Sequence, residues 1–295
     1  MIKNRIIKKS AIILAATVST ALLFEACAKK PSPGENPSGN IVIATKASKV
    51  ELLVGGDNIV IDWSDGKKSN LDDALEYVES SGYFVFTHVY SGKDPHYISF
   101  TGNITKLDCG GINELTDLDV SGSTELTSLR CDFNQLTSLD VSKNAAVVEL
   151  SITHNQLTTL DVSKNTALTH LNCSNNRLAK LNVSATALGN LDCENNQLTA
   201  SALNDLFREL PDRTEIEGYK ENPEIYVGYI RILGNPGDDD CDRSIAQKKG
   251  WRFMIRNVSL GKTKRHNTHV IPSGSPHRIS SGSPHRLTAY EGAFI

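Results

Sequence analysis

The stretch Leu157–Asn176, LTTLDVSKNTALTHLNCSNN, alternates leucines with small polar residues and then sets Cys173 where the rhythm calls for another leucine. The flanking sequence keeps the same rhythm. Aligned on that position, Cys109, Cys131, Ile152, Cys173 and Cys193 recur at steps of 22, 21, 21 and 20 residues. Three residues after the last four come Asn134, Asn155, Asn176 and Asn196, and two further on Leu136, Leu157, Leu178 and Leu198. The second half of each unit repeats too, as LDVS at 118, 139 and 160 and as LNVS at 181. A fixed period of this length outweighs local propensity, because each unit buries its apolar face only by stacking on the next.

The pattern L-x-x-L-x-L-x-x-N-x-L is that of a leucine-rich repeat with a short period. With cysteine at the third apolar position and LDVSxNT in the second half, residues Ile104 to about Leu198 resemble the internalin-type subfamily that carries a cysteine ladder. The expected fold is an α/β-repeat solenoid dominated by short parallel strands. A small β-sandwich-like module precedes it, over 41–103, and a helical cap with a final repeat closes it, over 201–258, leaving 104–200 to the repeats.

Stacked coils place equivalent residues in columns. Cysteine in such a column acts as a small hydrophobe. The column is interrupted by Ile152 and lacks C-x-x-C spacing, so an inert buried thiol ladder is favoured over a metal or redox role. Disulfides between adjacent coils are a lesser alternative, since parallel Cβ vectors disfavour them. The asparagine amides are expected to bond backbone groups left unpaired by the tight turn after each strand. Asp119, Asp140 and Asp161, with Asn182 closing their column, stack like charges, to be offset by backbone N–H groups and serines, or by a bound cation.

The flanks differ in kind. Residues 1–26 combine Lys3, Arg5, Lys8 and Lys9 with an uncharged apolar run from Ala11 to Phe24 and read as a secretory signal, too short to span a membrane. Its ending, LLFEAC, resembles a bacterial lipobox. That resemblance implies cleavage before Cys27 and a lipid on its thiol, an exported and membrane-anchored lipoprotein in the periplasm or at the surface; ordinary cleavage is the alternative. Residues 27–40, rich in Pro and Gly, form a tether. Strand patterns follow, with a short helix expected over Leu71–Glu79 behind Asn70. IDWSDG, FTHVYSG and YISFTG together resemble a PKD-type β-sandwich.

After Leu198, an amphipathic helix is expected over Ala202–Leu210, with Ser201 as a possible N-cap and Pro211 as stop. Ile230, Ile232 and Asn235 reproduce the repeat as a sixth coil. CDRSIAQKKGW reads as a final helix, with Cys241, Trp251 and Phe253 packing over the open end. GDDDCD reads as turn carboxylates capping a helix start, with a cation as the lesser alternative. The tail, 259–295, repeats IPSGSPHR and ISSGSPHR and reads as disordered and basic.

Residues 27–258 hold 22 basic and 32 acidic side chains, net −10, which disfavours nucleic acid as a partner. Ser, His and Asp are present, but none stands in a context that activates a nucleophile; His88 and His96 sit in strand patterns as core or edge residues. No catalytic residue, metal site or cofactor is expected. Stacked repeats instead build an extended face, here Lys106, Asp108, Ser128, Arg130, Asp132, Glu149, Ser151, Thr153, His170, Asn172, Ser174, Asn190, Asp192 and Glu194 by phase. Phe133 and His154 should adjoin at its rim. Arg130, Phe133, Glu149, His154, His170 and Asn172 are the candidate ligand-binding residues. The internalin resemblance implies adhesion or recognition, with a protein or glycan partner met by a monomer at the cell surface. A structural envelope spacer, or an enzyme's accessory carbohydrate-binding component, is the alternative.

Overall fold

A computed structural model describes residues 41–92, 95–111 and 114–254. The signal, the tether, Cys27 and the 259–295 tail lie outside the described residues. The chain opens with β1 (Ile41–Thr45), β2 (Lys49–Asp62), β3 (Lys68–Asn70), β4 (Glu76–Val78), β5 (Tyr83–Val89), β6 (His96–Asp108) and β7 (Leu115–Asp119). These strands pair antiparallel with one another: β6 lies between β1 and β2, and β2 pairs with β5.

The repeats contribute one short strand each: β8 (Ser128–Arg130), β9 (Glu149–Ser151), β11 (His170–Asn172) and β13 (Asn190–Asp192), followed by β14 (Gly228–Arg231) and β15 (Trp251–Phe253). These pair in parallel and in strict register, so Leu107, Leu129, Leu150, Leu171, Leu191, Ile230 and Phe253 form one row. On the other side of the coils, β10 (Thr159–Asp161) and β12 (Lys180–Asn182) pair as a second parallel sheet. This is a leucine-rich-repeat solenoid.

The junction at 103/104 falls inside a strand. β6 pairs with β2 from Ser99 to Asp108 and its first half also with β1, while Lys106–Asp108 pairs on its other edge with β8. The sandwich-like module expected over 41–103 therefore runs into the repeat sheet through continuous backbone hydrogen bonds. The helix expected over Leu71–Glu79 is a single 3-10 turn, Leu71–Asp73, with Asn70 accepting from the Asp72 N–H and Asp73 bonding back to the Asn70 N–H. The chain then turns extended at Ala74 (ψ 139°), because β4 is taken up by pairing with β5. Leu75 points outward instead of forming an apolar face.

Helix α1 (Ala200–Glu209) buries Leu203, Leu206 and Phe207. Its N-cap is Thr199, not Ser201: the Thr199 hydroxyl accepts from the Ala202 N–H. After a short α2 (Pro223–Tyr226), β14 supplies the sixth coil, and Asn235 donates to the Cys193 and Ile232 carbonyls as the pattern required. The closing helix is shorter than expected, α3 (Ser244–Gln247), with Arg243 at its N-cap; the Asp242 carboxylate just before the cap accepts from the Ser244 N–H. Gly250 at φ 78° ends that segment and turns the chain into β15. Trp251 thus lies on a further parallel strand, with its ring against Gly228, where a Cβ would come within 2.6 Å of the ring.

The interior is a set of columns. Cys109, Cys131, Ile152, Cys173 and Cys193 are fully buried, and all four thiols are free. Each thiol reaches a backbone carbonyl of the next coil: Cys109 to Arg130 at 3.5 Å, Cys131 to Ser151 at 3.7 Å, Cys173 to Asp192 at 3.5 Å and Cys193 to Arg231 at 3.3 Å. Burial pushes all four thiols above the ordinary range, so they stay protonated and unreactive.

Asparagine side chains tie coil to coil. The Asn155 Oδ1 accepts from the Leu136 N–H of the preceding coil, and its amide donates to Cys131 of that coil and to Ile152 and Thr153 of its own. Asn134, Asn176 and Asn196 repeat the arrangement. A second column, unforeseen from the sequence, is formed by the fully buried Asn144 and Asn165 of the SKN turns; each donates to two carbonyls of the preceding coil. In the aspartate column, Asp119, Asp140 and Asp161 accept from the N–H of Ser121, Ser142 and Ser163. Those backbone bonds hold the Asp140 and Asp161 carboxyls below the usual carboxylate range.

Candidate functional site

Two outward-facing rows, most of their residues part-exposed, run along the strand face. In register, one carries Lys106, Ser128, Glu149, His170, Asn190, Tyr229 and Arg252, the other Asp108, Arg130, Ser151, Asn172, Asp192 and Arg231. Four residues expected to be exposed are not: Ser128, Thr153, Ser174 and Glu194 are buried. Tyr83 of β5 covers Ser128, its hydroxyl 3.4 Å from the Ser128 Oγ. Thr153, Ser174 and Glu194 directly follow the ladder residue, where the chain turns inward, and Thr153 and Ser174 share a hydroxyl contact at 3.1 Å.

The candidate residues fall into two clusters and two outliers. Arg130 and Glu149 face each other across adjacent coils at 4.0 Å, both about half exposed. Phe133 and His154 stack, ring centroids 4.2 Å apart at 16°. The imidazole is steadied by Thr153, whose hydroxyl lies 2.8 Å from Nδ1. His170 stands beside Glu149 in register but engages Thr169 at 2.8 Å, and Asn172 turns onto Ser174, accepting from its N–H and hydroxyl.

Beside Arg130 lie Asp108, its register neighbour on the preceding coil, and Asp132, which also faces His154. Burial pushes both carboxyls up, against hydrogen bonds from the Gly110 N–H to Asp108 and from the Ser151 hydroxyl and Thr153 N–H to Asp132.

The backbone singles out the aromatic pair. Gly111, Phe133, His154, Asn175 and Asn195 are equivalent, each donating its N–H to a carbonyl of the next coil. With Gly234 two residues after Ile232, all have positive φ, from 53° to 83°. Glycine and asparagine adopt that conformation at little cost and histidine is also enriched in it, whereas a bulky residue such as Phe133 is strained there by about 1 kcal/mol. The repeat supplies Gly or Asn at four of these positions and Phe and His at the other two. Phe133 is nevertheless 57% exposed, so burial does not recover the strain. Sequence phase located the pair; the strain was not legible without φ.

A second aromatic group lies in the N-terminal strands. His88, buried, stacks on Trp63 at 4.6 Å and bonds Asp65 at 2.9 Å, while His96 stacks on Tyr90. Burial pushes the Asp65 carboxyl up, but bonds from His88 and Lys67 outweigh it and hold the group below its ordinary value. The Tyr90 hydroxyl is spent on the Trp63 carbonyl and the Trp63 indole on Ser69, so these side chains pin the β2–β3 turn to β5. Among the described residues no His, Cys, Asp and Glu cluster could hold a metal ion, and no helix is long and apolar enough to cross a membrane.

No protein-family model and no curated protein matches the sequence. Among solved structures 13 chains match. One is the functional domain of InlJ from Listeria monocytogenes, described as including a cysteine ladder: identity is 33%, the TM-score 0.32, and the match covers 50% of this chain. The chain spans 38% of the length of that structure.

Proposed function

We propose that this chain is an exported recognition module, anchored through a lipid on Cys27, whose repeat face holds a protein or glycan partner at the cell envelope or surface. It acts by binding and performs no covalent chemistry. The observation that carries this reading is the Phe133–His154 pair: two large side chains, stacked and exposed, at left-handed backbone positions that the other coils give to Gly or Asn, with the strain falling on Phe133. Selection for folding alone favours the unstrained residue; a ligand contact gives the strained one a use. Arg130 and Glu149, on the same two coils, add a charged pair beside it.

The test compares two double variants in capture of the partner from surface extracts by the immobilised chain. Arg130→Ala with Phe133→Ala should weaken capture by an amount on the order of 2 kcal/mol, while Lys143→Ala with Lys164→Ala, on the opposite side of the coils, should leave it intact. Equal effects of the two pairs, or none from either, would remove the strand face as the recognition surface and favour a spacer. Mass spectrometry of the mature N-terminus checks the anchor: an unmodified start at Lys29 contradicts it.

A further inference from the structure

We infer that the Phe133–His154 pair is a stacking platform for one sugar ring of an uncharged glycan. This deepens the reading of the strand face as a recognition surface and rests on it. One face of the Phe133 ring lies against His154, nearly parallel. In the preceding coil the equivalent residue is Gly111, where an added Cβ would meet nothing within 4 Å among the described residues. The ring is therefore backed on one side by an aromatic partner and bordered on the other by a residue with no side chain, a flat apolar wall with room beside it. A pyranose presents such a wall with its axial C–H groups and leaves its hydroxyls at the edge.

The surroundings fit those hydroxyls. Gln135 and Gln156 follow two residues after the ring positions on the same two coils, and Asn175 takes the next place in the column, its Oδ1 accepting a hydrogen bond from the Asn195 amide at 3.1 Å. Amides both donate and accept, which is what a hydroxyl at variable orientation requires. The centre of a protein-binding patch is instead a desolvated apolar or arginine anchor in a packed pocket.

Charge decides against acidic glycans. The cations along the two outward-facing rows are already engaged within the chain. Arg130 meets Glu149, Arg231 lies 3.5 Å from Asp192, Arg252 is bidentate on Glu224, and Lys106 donates to the Ser81 carbonyl at 2.7 Å. Residues 27–258 carry net −10, which repels sulfated or sialylated chains over the screening length.

The experiment is saturation-transfer NMR with titration of the full chain against cellohexaose, maltohexaose, chitohexaose and a heparin hexasaccharide. At least one neutral hexasaccharide should receive saturation while heparin does not. Phe133→Asn should lower the affinity for that sugar at least about tenfold, and Phe133→Tyr should keep it within about threefold. The asparagine variant suits the backbone, since Asn175 and Asn195 hold the same conformation, so an unchanged thermal midpoint excludes unfolding as the cause. Binding of heparin alone, of no probe, or of a neutral sugar indifferent to Phe133→Asn overturns the inference. If no sugar binds but the Arg130 and Phe133 double variant still fails to capture its partner, the sugar is wrong and the recognition surface stands. If that variant captures normally, the surface itself is wrong.

Discussion

Removing the Asn155 side chain tests how the coils are held together. In Asn155→Ala the Cys131 carbonyl keeps the Asn134 amide at 3.0 Å, the Ile152 carbonyl keeps Asn176 at 2.9 Å and the Thr153 carbonyl keeps the Phe133 N–H at 2.9 Å. Only the Leu136 N–H, which Asn155 accepts at 3.0 Å, loses its acceptor among the described residues. One orphaned buried donor costs about 1–3 kcal/mol, and the weakened carbonyls add a fraction, so the expected loss is about 2–3 kcal/mol. Asn155→Asp separates donor from acceptor. It preserves an oxygen for Leu136 but sets a carboxylate against three carbonyls, costing about 3 kcal/mol or more at neutral pH.

The introduced carboxyl, disfavoured as an anion in the fold, has a folded pKa above its unfolded value of about 3.9. Stability is then fullest below that value and is lost as pH rises through the folded pKa. Urea denaturation can be followed from Trp63 at one end of the sheet and Trp251 at the other, with a lower midpoint at unchanged slope as the expected sign. A loss below about 0.5 kcal/mol for Asn155→Ala, or an Asp variant as stable as wild type at pH 7, refutes the reasoning.

Other perturbations bear on the remaining columns. Cys173→Ser should cost about 1 kcal/mol, since the hydroxyl inherits the Asp192 carbonyl that the thiol now meets but sits further from it; native-state maleimide labelling of the ladder cysteines should be slow and become rapid only in denaturant, and rapid native labelling would contradict burial. Asp140 and Asp161 have depressed folded pKa values through their serine N–H bonds, so their contribution is present above about 3.9 and lost as pH falls through the folded values. Asn182, which accepts from the Ser184 N–H and hydroxyl, shows that the site takes an amide. Asp140→Asn with Asp161→Asn should therefore lose less stability than wild type between pH 5 and pH 2, as read by thermal midpoints; an identical acid limb counts against the hydrogen bonds.

The repeat was legible because its period, its cysteines and its asparagines are written in the chain at fixed spacing, and stacking turns spacing into columns. What stayed hidden depended on partners far away in sequence. Nothing local to Leu71, Leu75 and Val78 says that pairing with β5 will claim β4 before a helix forms. Likewise β6 reads as a strand, but not as the strand shared by the antiparallel module and the first repeat. A 104–258 fragment would cut it away from β1 and β2, so a stable fragment starts at 41. The Asn144 and Asn165 column was visible as SKN but read as turn, since burial of a polar side chain follows from stacking and not from its own neighbours. Ser128, Thr153, Ser174 and Glu194 fall on the outer face by phase yet are buried, for the same reason. At the candidate site, phase was enough to put Phe133 beside His154; it could not show the left-handed backbone that makes Phe133 costly.

Phe133 serves recognition and not folding, and this can be measured without any ligand. The unfolding free energy of Phe133→Asn should equal or exceed that of wild type, by up to about 1 kcal/mol, as the strain at φ 56° is relieved. A loss of more than about 1 kcal/mol would show that the ring is held for the stability of the solenoid and contradict the claim.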